Sequence, residues 1–292
     1  MRSACASGVV AGAALLALTA IAVARPGLEA HRFVPPRTIP ADALGAAIKQ
    51  GEDIFVHTQT SAKKYVGDGL ECESCHLNRG RLENSAPMWA AFISYPKFVP
   101  RSGKVESLEE RIADCFRFSM NGHPPGADSA TMIALVSYFR WLDTGARVGA
   151  RLAGSGYPRL PKPRLAADPD RGLQVFRTHC ALCHGVNGAG RKAAGVFVFP
   201  PLWGAQSYNW GASMHQVGTA AAFIKANMPL GLGGTLADQQ AWDVAAYIDS
   251  QPRPQDPRFT GSVEQTRRKY HAAADDYYGR MEHGQLLGGP NP

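Results

Sequence analysis

The sequence predicts a mainly helical chain built as two modules in tandem, and three observations carry that expectation. No alternating apolar and polar pattern of useful strand length runs through the 292 residues, whereas several stretches repeat apolar residues at helical spacing. The pattern C-x-x-C-H occurs twice, as Cys72-Glu-Ser-Cys75-His76 and Cys180-Ala-Leu-Cys183-His184. Each copy follows a helical segment, and the copies begin 108 residues apart, about the span of one small domain. The 45% apolar content excludes disorder and a multi-pass membrane protein. The formal charge of +7 favours anions. No run of five or more Lys/Arg occurs, so the charge does not form a nucleic-acid stripe and no nucleic-acid partner is expected.

Chance does not account for the repeated motif: with this Cys and His content a single random C-x-x-C-H is expected roughly 0.004 times. Its chemistry is c-type haem attachment. Two thiols add across the haem vinyl groups, two intervening residues set their reach, and the adjacent imidazole becomes an axial iron ligand. A zinc site would need a second ligand pair near each first pair, and a redox dithiol would not need the histidine twice. The fold class follows as mainly α, with two class I cytochrome c-like domains in tandem, each with one covalently bound haem. Each haem supplies core that a domain near 100 residues would otherwise lack.

Taken in order, residues 1–24 read as a signal peptide. Arg2 is followed by an apolar stretch from about Val9 to Val23 and by the small-residue signal Ala22-Val23-Ala24. Gly, Ser and Ala dilute that stretch, which favours cleavage near Ala24 over an uncleaved anchor, so a periplasmic location and no stable membrane insertion are expected. The first module is placed at 41–145. It opens with Leu44, Ile48 and Phe55 at roughly helical spacing and closes with the stripe Met132, Leu135, Val136, Phe139 and Leu142, which ends at Gly145. Residues 146–169, with four prolines and three glycines, read as a linker. The second module, 170–252, begins with a helix running into its haem motif and ends with a helix stopped by Pro252 and Pro254. Residues 253–292 are polar and poor in aliphatics, and an irregular surface tail is expected there.

A haem held by one histidine needs a second ligand or an open site. For the second module the candidates are Met214, Met228, Met281 and His215. Met228 leads, because Pro229 forces it toward an extended conformation after a short helix, where a loop can aim a thioether at iron. For the first module they are Cys115, Met88, Met120, Met132, His57 and His123. Cys5 leaves with the signal and four cysteines take haem, so Cys115 is a lone thiol in an oxidising compartment. It sits in a helix marked by the capping box Ser107/Glu110 and the stop Asn121-Gly122. Arg111, Cys115 and Ser119 follow at i, i+4, i+8 beside the apolar line Leu108, Ile112, Phe116. A cation and a hydroxyl favour thiolate, which is both an iron ligand and a nucleophile. A buried, inert cysteine is the alternative. His57 and His123 read as surface or capping residues.

The stretches GLECESCHLNRG, YPKFVPRSGKVESLEERIADCFRFSMNG, CALCHGVNGAG, ANMPLG and DVAAYIDSQPRP span about residues 45–255. In them the chain resembles the dihaem thiosulfate dehydrogenases, which are related to the dihaem cytochrome c subunit of periplasmic thiosulfate-oxidising complexes. The resemblance implies haem 1 ligated by His76 and Cys115 and haem 2 ligated by His184 and Met228. It also implies that Arg101 and Arg111 bind the anionic substrate with Ser119 nearby; Arg101 enters only through the family. Where some members carry a lysine before the haem 2 methionine, this chain has Asn227, which argues against a ligand switch there. The implied reaction joins two thiosulfate anions into tetrathionate, possible in reverse as tetrathionate reduction. Electrons would pass from haem 1 to haem 2 and on to an acceptor cytochrome or similar redox protein. Two rivals remain at this level: an electron-transfer dihaem cytochrome without its own substrate, and a sulfur-oxidising complex subunit acting on a carrier-bound adduct.

Overall fold

The computed structural model describes Met1, residues 33–99 and residues 102–289. The segment expected to direct export, with Cys5, lies outside these apart from Met1, and so does Arg101. All that follows concerns the compact unit from Arg32 to Pro292. Among the described residues no helix is long and apolar enough to cross a membrane.

Each module is organised by one helix crossing. In the first, helix Ala43–Val56 packs against helix Ala130–Leu142. In the second, helix Pro169–His179 packs against helix Asp238–Asp249, which also supports helix Val217–Asn227. Local chemistry starts these helices where the chain requires. Asp42 accepts from the Gly45 amide at 2.8 Å, and Asp168, followed by Pro169 in the first turn, accepts from the Arg171 amide at 2.9 Å.

The two crossings share one device. A Cβ on Gly51 would lie 2.1 Å from the Ala134 carbonyl oxygen, and one on Gly172 would lie 2.0 Å from that of Asp243. Glycine is therefore needed for the helices to meet backbone to backbone. Four residues after each glycine comes a buried phenylalanine, Phe55 or Phe176. Phe55 meets the rings of Tyr138 and Phe139, and Phe176 those of Trp203 and Tyr247. Leu44, expected on the buried face of the opening helix, is exposed. The face that packs is Gly45, Ile48, Gly51, Ile54 and Phe55, and Leu44 is one residue out of phase with it.

The two cores interlock. Leu77 of the first module belongs to the second core, and Tyr208 and Ala212 of the second module belong to the first. The segment 146–169 is more than a tether. The Asn84 and Ala86 amides donate to the Gly154 and Gly156 carbonyls, and Tyr157 packs edge-on against Phe223 at 5.6 Å. The stretch after residue 252 differs from the irregular surface tail that its polarity predicts. It forms helix Val263–Tyr270 and a small hairpin, Met281–Glu282 with Gln285–Leu286. Tyr277, Tyr278 and Leu287 are buried in the second core, and Arg253, Asp256, His271 and Asp276 are buried with them: Arg253 reaches Asp249 at 3.3 Å, Asp256 meets Arg258, and His271 lies between Asp256 and Asp276. Two further short hairpins, Lys97–Val99 with Lys104–Glu106 and Arg191–Ala193 with Val196–Phe199, carry the remaining strands among the described residues.

The helix contact at Gly172 has a direct test. Gly172→Ala must push two helices apart and is expected to destabilise the holoprotein by about 1–3 kcal/mol, read as a lowered midpoint in thermal unfolding followed by circular dichroism. An unchanged midpoint would show that the crossing has slack.

Candidate functional site

Each helix crossing leaves a cavity walled by its C-x-x-C-H motif. The first, about 380 Å³, is lined by Cys72, Cys75 and His76. The second, about 580 Å³, is lined by Cys180, Cys183 and His184. Both volumes lie in the range of cofactor pockets. The two histidines are prepared in the same way. His76 Nδ1 donates to the Ala86 carbonyl at 2.7 Å and His184 Nδ1 to the Pro200 carbonyl at 2.9 Å, so each ring keeps a lone pair on Nε2. Burial pushes the His76 imidazole down to about 4 and also lowers His184, which keeps both rings neutral, as metal ligation requires. Paired thiols, a neutral oriented imidazole and an apolar wall fit a covalent haem in each cavity.

Across the first cavity runs the helix Leu108–Asp114, capped reciprocally: the Glu110 amide donates to Ser107 Oγ at 3.2 Å and the Ser107 amide to the Glu110 carboxylate at 2.8 Å. It does not continue as a plain α-helix. Residues Cys115–Ser119 form a π turn closed by the Met120 amide donating to the Cys115 carbonyl at 2.9 Å. Arg111, Cys115 and Ser119 all line the cavity that holds His76. The Arg111 guanidinium is driven above its ordinary value, chiefly by the Cys115 sulfur facing it and against the opposing effect of burial. Lys97, from the neighbouring hairpin, lines the same cavity. Partial burial, and then the charge of Arg111, hold its ammonium below the usual lysine range. Glu106, buried nearby, opposes the concentration of positive charge. Lys97 is a cavity cation that the sequence reading did not single out; its only local signal is its place in a basic, hairpin-forming stretch.

The other candidates sort clearly. Met88 and Met120 also line the first cavity, whereas Met132 lies in the core away from it. His123 is exposed and lines neither cavity, and His57, also exposed, caps the opening helix and borders the second. In the second cavity Met228 lines the wall with His184. Its backbone is extended, φ −115° and ψ 148°, immediately after helix Val217–Asn227. Met281 is exposed on the terminal hairpin, and His215 is buried among other side chains outside both cavities. Asn227 is absent from the second cavity's lining; its amide donates to the Asn84 and Phe223 carbonyls, both at 3.0 Å, and so fastens one module to the other. Leu70, Glu71, Cys75 and Met214 line both cavities, which are therefore separated by a single layer of side chains.

Comparison with known proteins agrees with this architecture. Residues 50–148 match the family described as SoxA/TsdA, cytochrome c domain, and residues 169–252 match cytochrome c. The chain is 52% identical to a thiosulfate dehydrogenase of Stutzerimonas stutzeri (strain A1501), covering 88% of this chain and 85% of that protein. It is 47% identical to one of Thiomonas intermedia (strain K12), covering 97% and 94%. The solved structure of a thiosulfate dehydrogenase (TsdBA) from Marichromatium purpuratum, in its as-isolated form, superposes with a TM-score of 0.85 at 46% identity. That match covers 88% of this chain and 57% of that longer one. The chain carries two covalently bound haem c groups in tandem cytochrome c domains, and the residues that fit them line the two cavities. The chain belongs to the thiosulfate dehydrogenase family.

Proposed function

We propose that this chain joins two thiosulfate anions into tetrathionate at the first cavity and passes the two electrons outward through the second, in the periplasm. The observation that carries this reading is the convergence of Arg111, Cys115 and Ser119 on the cavity walled by the first C-x-x-C-H motif. A cytochrome that only carried electrons would have no use for a guanidinium and a lone thiol on that wall.

The chemistry sets two demands. Two dianions must be drawn together, which takes fixed positive charge in a partly dehydrated pocket. Arg111 supplies it with planar donors, Lys97 adds a second charge, and Arg101, which lies outside the described residues, is the third cation in this proposal. A sulfur–sulfur bond must also form. The Cys115 thiolate, which would have to release or loosen its hold on the iron, bonds through Sγ to the outer sulfur of the first thiosulfate while two electrons leave toward the acceptor, giving a Cys115 Sγ–S–SO3⁻ adduct. The outer sulfur of the second thiosulfate attacks the outer sulfur of that adduct, tetrathionate departs, and Cys115 is restored as thiolate. Ser119, on the same cavity wall, donates a hydrogen bond to a bound oxyanion in this proposal.

His76 and Cys115 would hold the iron of the first haem, and His184 and Met228 that of the second. When bound, the two haems would supply electron uptake and transfer to an external acceptor. A thiolate ligand would lower the potential of the first site and a thioether would raise that of the second, which would favour electron flow across the wall shared by Leu70, Glu71, Cys75 and Met214. Exposed Leu230 lines the second cavity, and exposed Leu182 and Val186 flank its motif residues Cys183 and His184 in sequence, apolar surface suited to transient docking of a redox protein.

With thiosulfate and ferricyanide as substrates, Cys115→Gly is expected to lose on the order of 10³-fold or more in kcat while keeping two haems per chain; undiminished tetrathionate formation would remove Cys115 from the reaction. Arg111→Gln is expected to lower kcat/KM for thiosulfate by roughly 10²-fold, which steady-state kinetics will show. Met228→Ala is expected to lower the midpoint potential of the second haem in a spectroelectrochemical titration and leave the first haem's spectrum in place; an unmoved potential would assign the ligand elsewhere.

A further inference from the structure

Outside both haem cavities, the terminal segment and the second module meet at a cluster of titratable side chains. We infer that His215, His271 and Asp276 form a binding site for one divalent transition-metal ion of the zinc class. His215 comes from the short turn Ser213–His215 of the second module, whereas His271 and Asp276 follow the helix Val263–Tyr270. All three are buried, and their ligand atoms lie within 4.8 Å of one another.

The outer atoms of these side chains fix what their inner atoms present. His215 Nδ1 donates to the Ala212 carbonyl, so the neutral ring turns a lone pair on Nε2 into the cluster. His271 Nε2 donates to the Asp256 carboxylate at 3.0 Å, so in the neutral ring its Nδ1 likewise presents a lone pair. Asp256 is itself held by Arg258 at 2.6 and 3.0 Å. The second oxygen of Asp276 accepts from the Tyr278 amide at 2.9 Å, and the first faces both rings. Three acceptors therefore meet: His215 Nε2 to Asp276 Oδ2 at 3.0 Å, His271 Nδ1 to Asp276 Oδ2 at 2.9 Å, and the two ring nitrogens at 3.2 Å.

Acceptors at such distances repel unless something positive lies among them. One added proton between His271 and Asp276 leaves the lone pair of His215 directed at the carboxylate. Two added protons place two imidazoliums in the interior with ring centres only 4.9 Å apart. A single divalent ion satisfies all three contacts at once. Ligands of a tetrahedral zinc ion with bonds of about 2.0 Å stand roughly 3.3 Å apart, so the triangle needs to open by only a few tenths of an ångström. Two imidazoles and one carboxylate are a donor set suited to zinc, and every outer atom already has the hydrogen-bond partner that orients metal ligands. Such an ion would clip the terminal segment to the turn that carries Met214, which lines both haem cavities.

The test uses tag-free, full-length dihaem protein, treated with a chelator and then dialysed against zinc chloride. Bound zinc is measured by plasma mass spectrometry relative to haem iron, alongside thermal unfolding. Wild type is expected to retain one zinc per two haem irons and to gain about 5 °C in Tm. Asp276→Asn and His271→Gln are expected to retain none and to gain nothing. Equal zinc retention by wild type and both variants, or no rise in wild-type Tm on adding zinc, would overturn the site. Should both variants fail to fold, the response of chelator-treated wild type alone decides.

Discussion

A guanidinium and a sulfur held one helical turn apart on the wall of a largely apolar cavity are the arrangement on which the rest of this molecule depends. In water neither group would discriminate strongly for a doubly charged anion or favour the thiolate. In a cavity closed by crossed helices the Cys115 sulfur favours the charged guanidinium, because little solvent remains to screen the two. The Ser107/Glu110 cap fixes where the Arg111 helix begins, the π turn after Asp114 determines how Cys115 and Ser119 face inward, and the Gly51 crossing holds the opposite wall. A loosened crossing would admit water and weaken the electrostatic coupling before it unfolded the domain.

The two modules solve one packing problem with little shared sequence. A glycine four residues before a phenylalanine lets the first and last helices of each module touch through their backbones, and each phenylalanine then meets a cluster of rings beside the haem motif. What differs is the rest of each cavity wall. The first cavity takes a guanidinium, a thiol and a hydroxyl from one helix and its π turn, and the second a thioether from the residue after a helix. On the proposed reading, one architecture would carry a reactive end and an electron outlet.

How much of this could be read from the sequence depended on how local each feature is. The haem motifs, the Ser107 cap and the extended Met228 before Pro229 are written in adjacent residues, so spacing and backbone chemistry were enough. Arg111, Cys115 and Ser119 were picked out by helical spacing and do line one cavity, yet the π turn that carries two of them left no mark, since one wider turn does not disturb an apolar stripe. Lys97 was missed as a wall residue because tertiary closure alone brings it there, and Met214, a candidate for the second cavity, proves to line the first as well. The terminal segment was misjudged for a different reason. Arg253, Asp256, His271 and Asp276 are buried there beside polar neighbours, and hydropathy cannot distinguish an interior polar cluster from a solvated one.

The interlocked cores, with Leu77 crossing one way and Tyr208 the other, and the stitching of Gly154 and Gly156 to Asn84 and Ala86, tie the two cytochrome units together through side chains and backbone alike. On the proposed reading, electrons would then move between the two sites without any swing of one lobe toward the other. Such a transit would be insensitive to solvent viscosity, and a throttle on the flow would sit at the entry of anions or at the encounter with the acceptor.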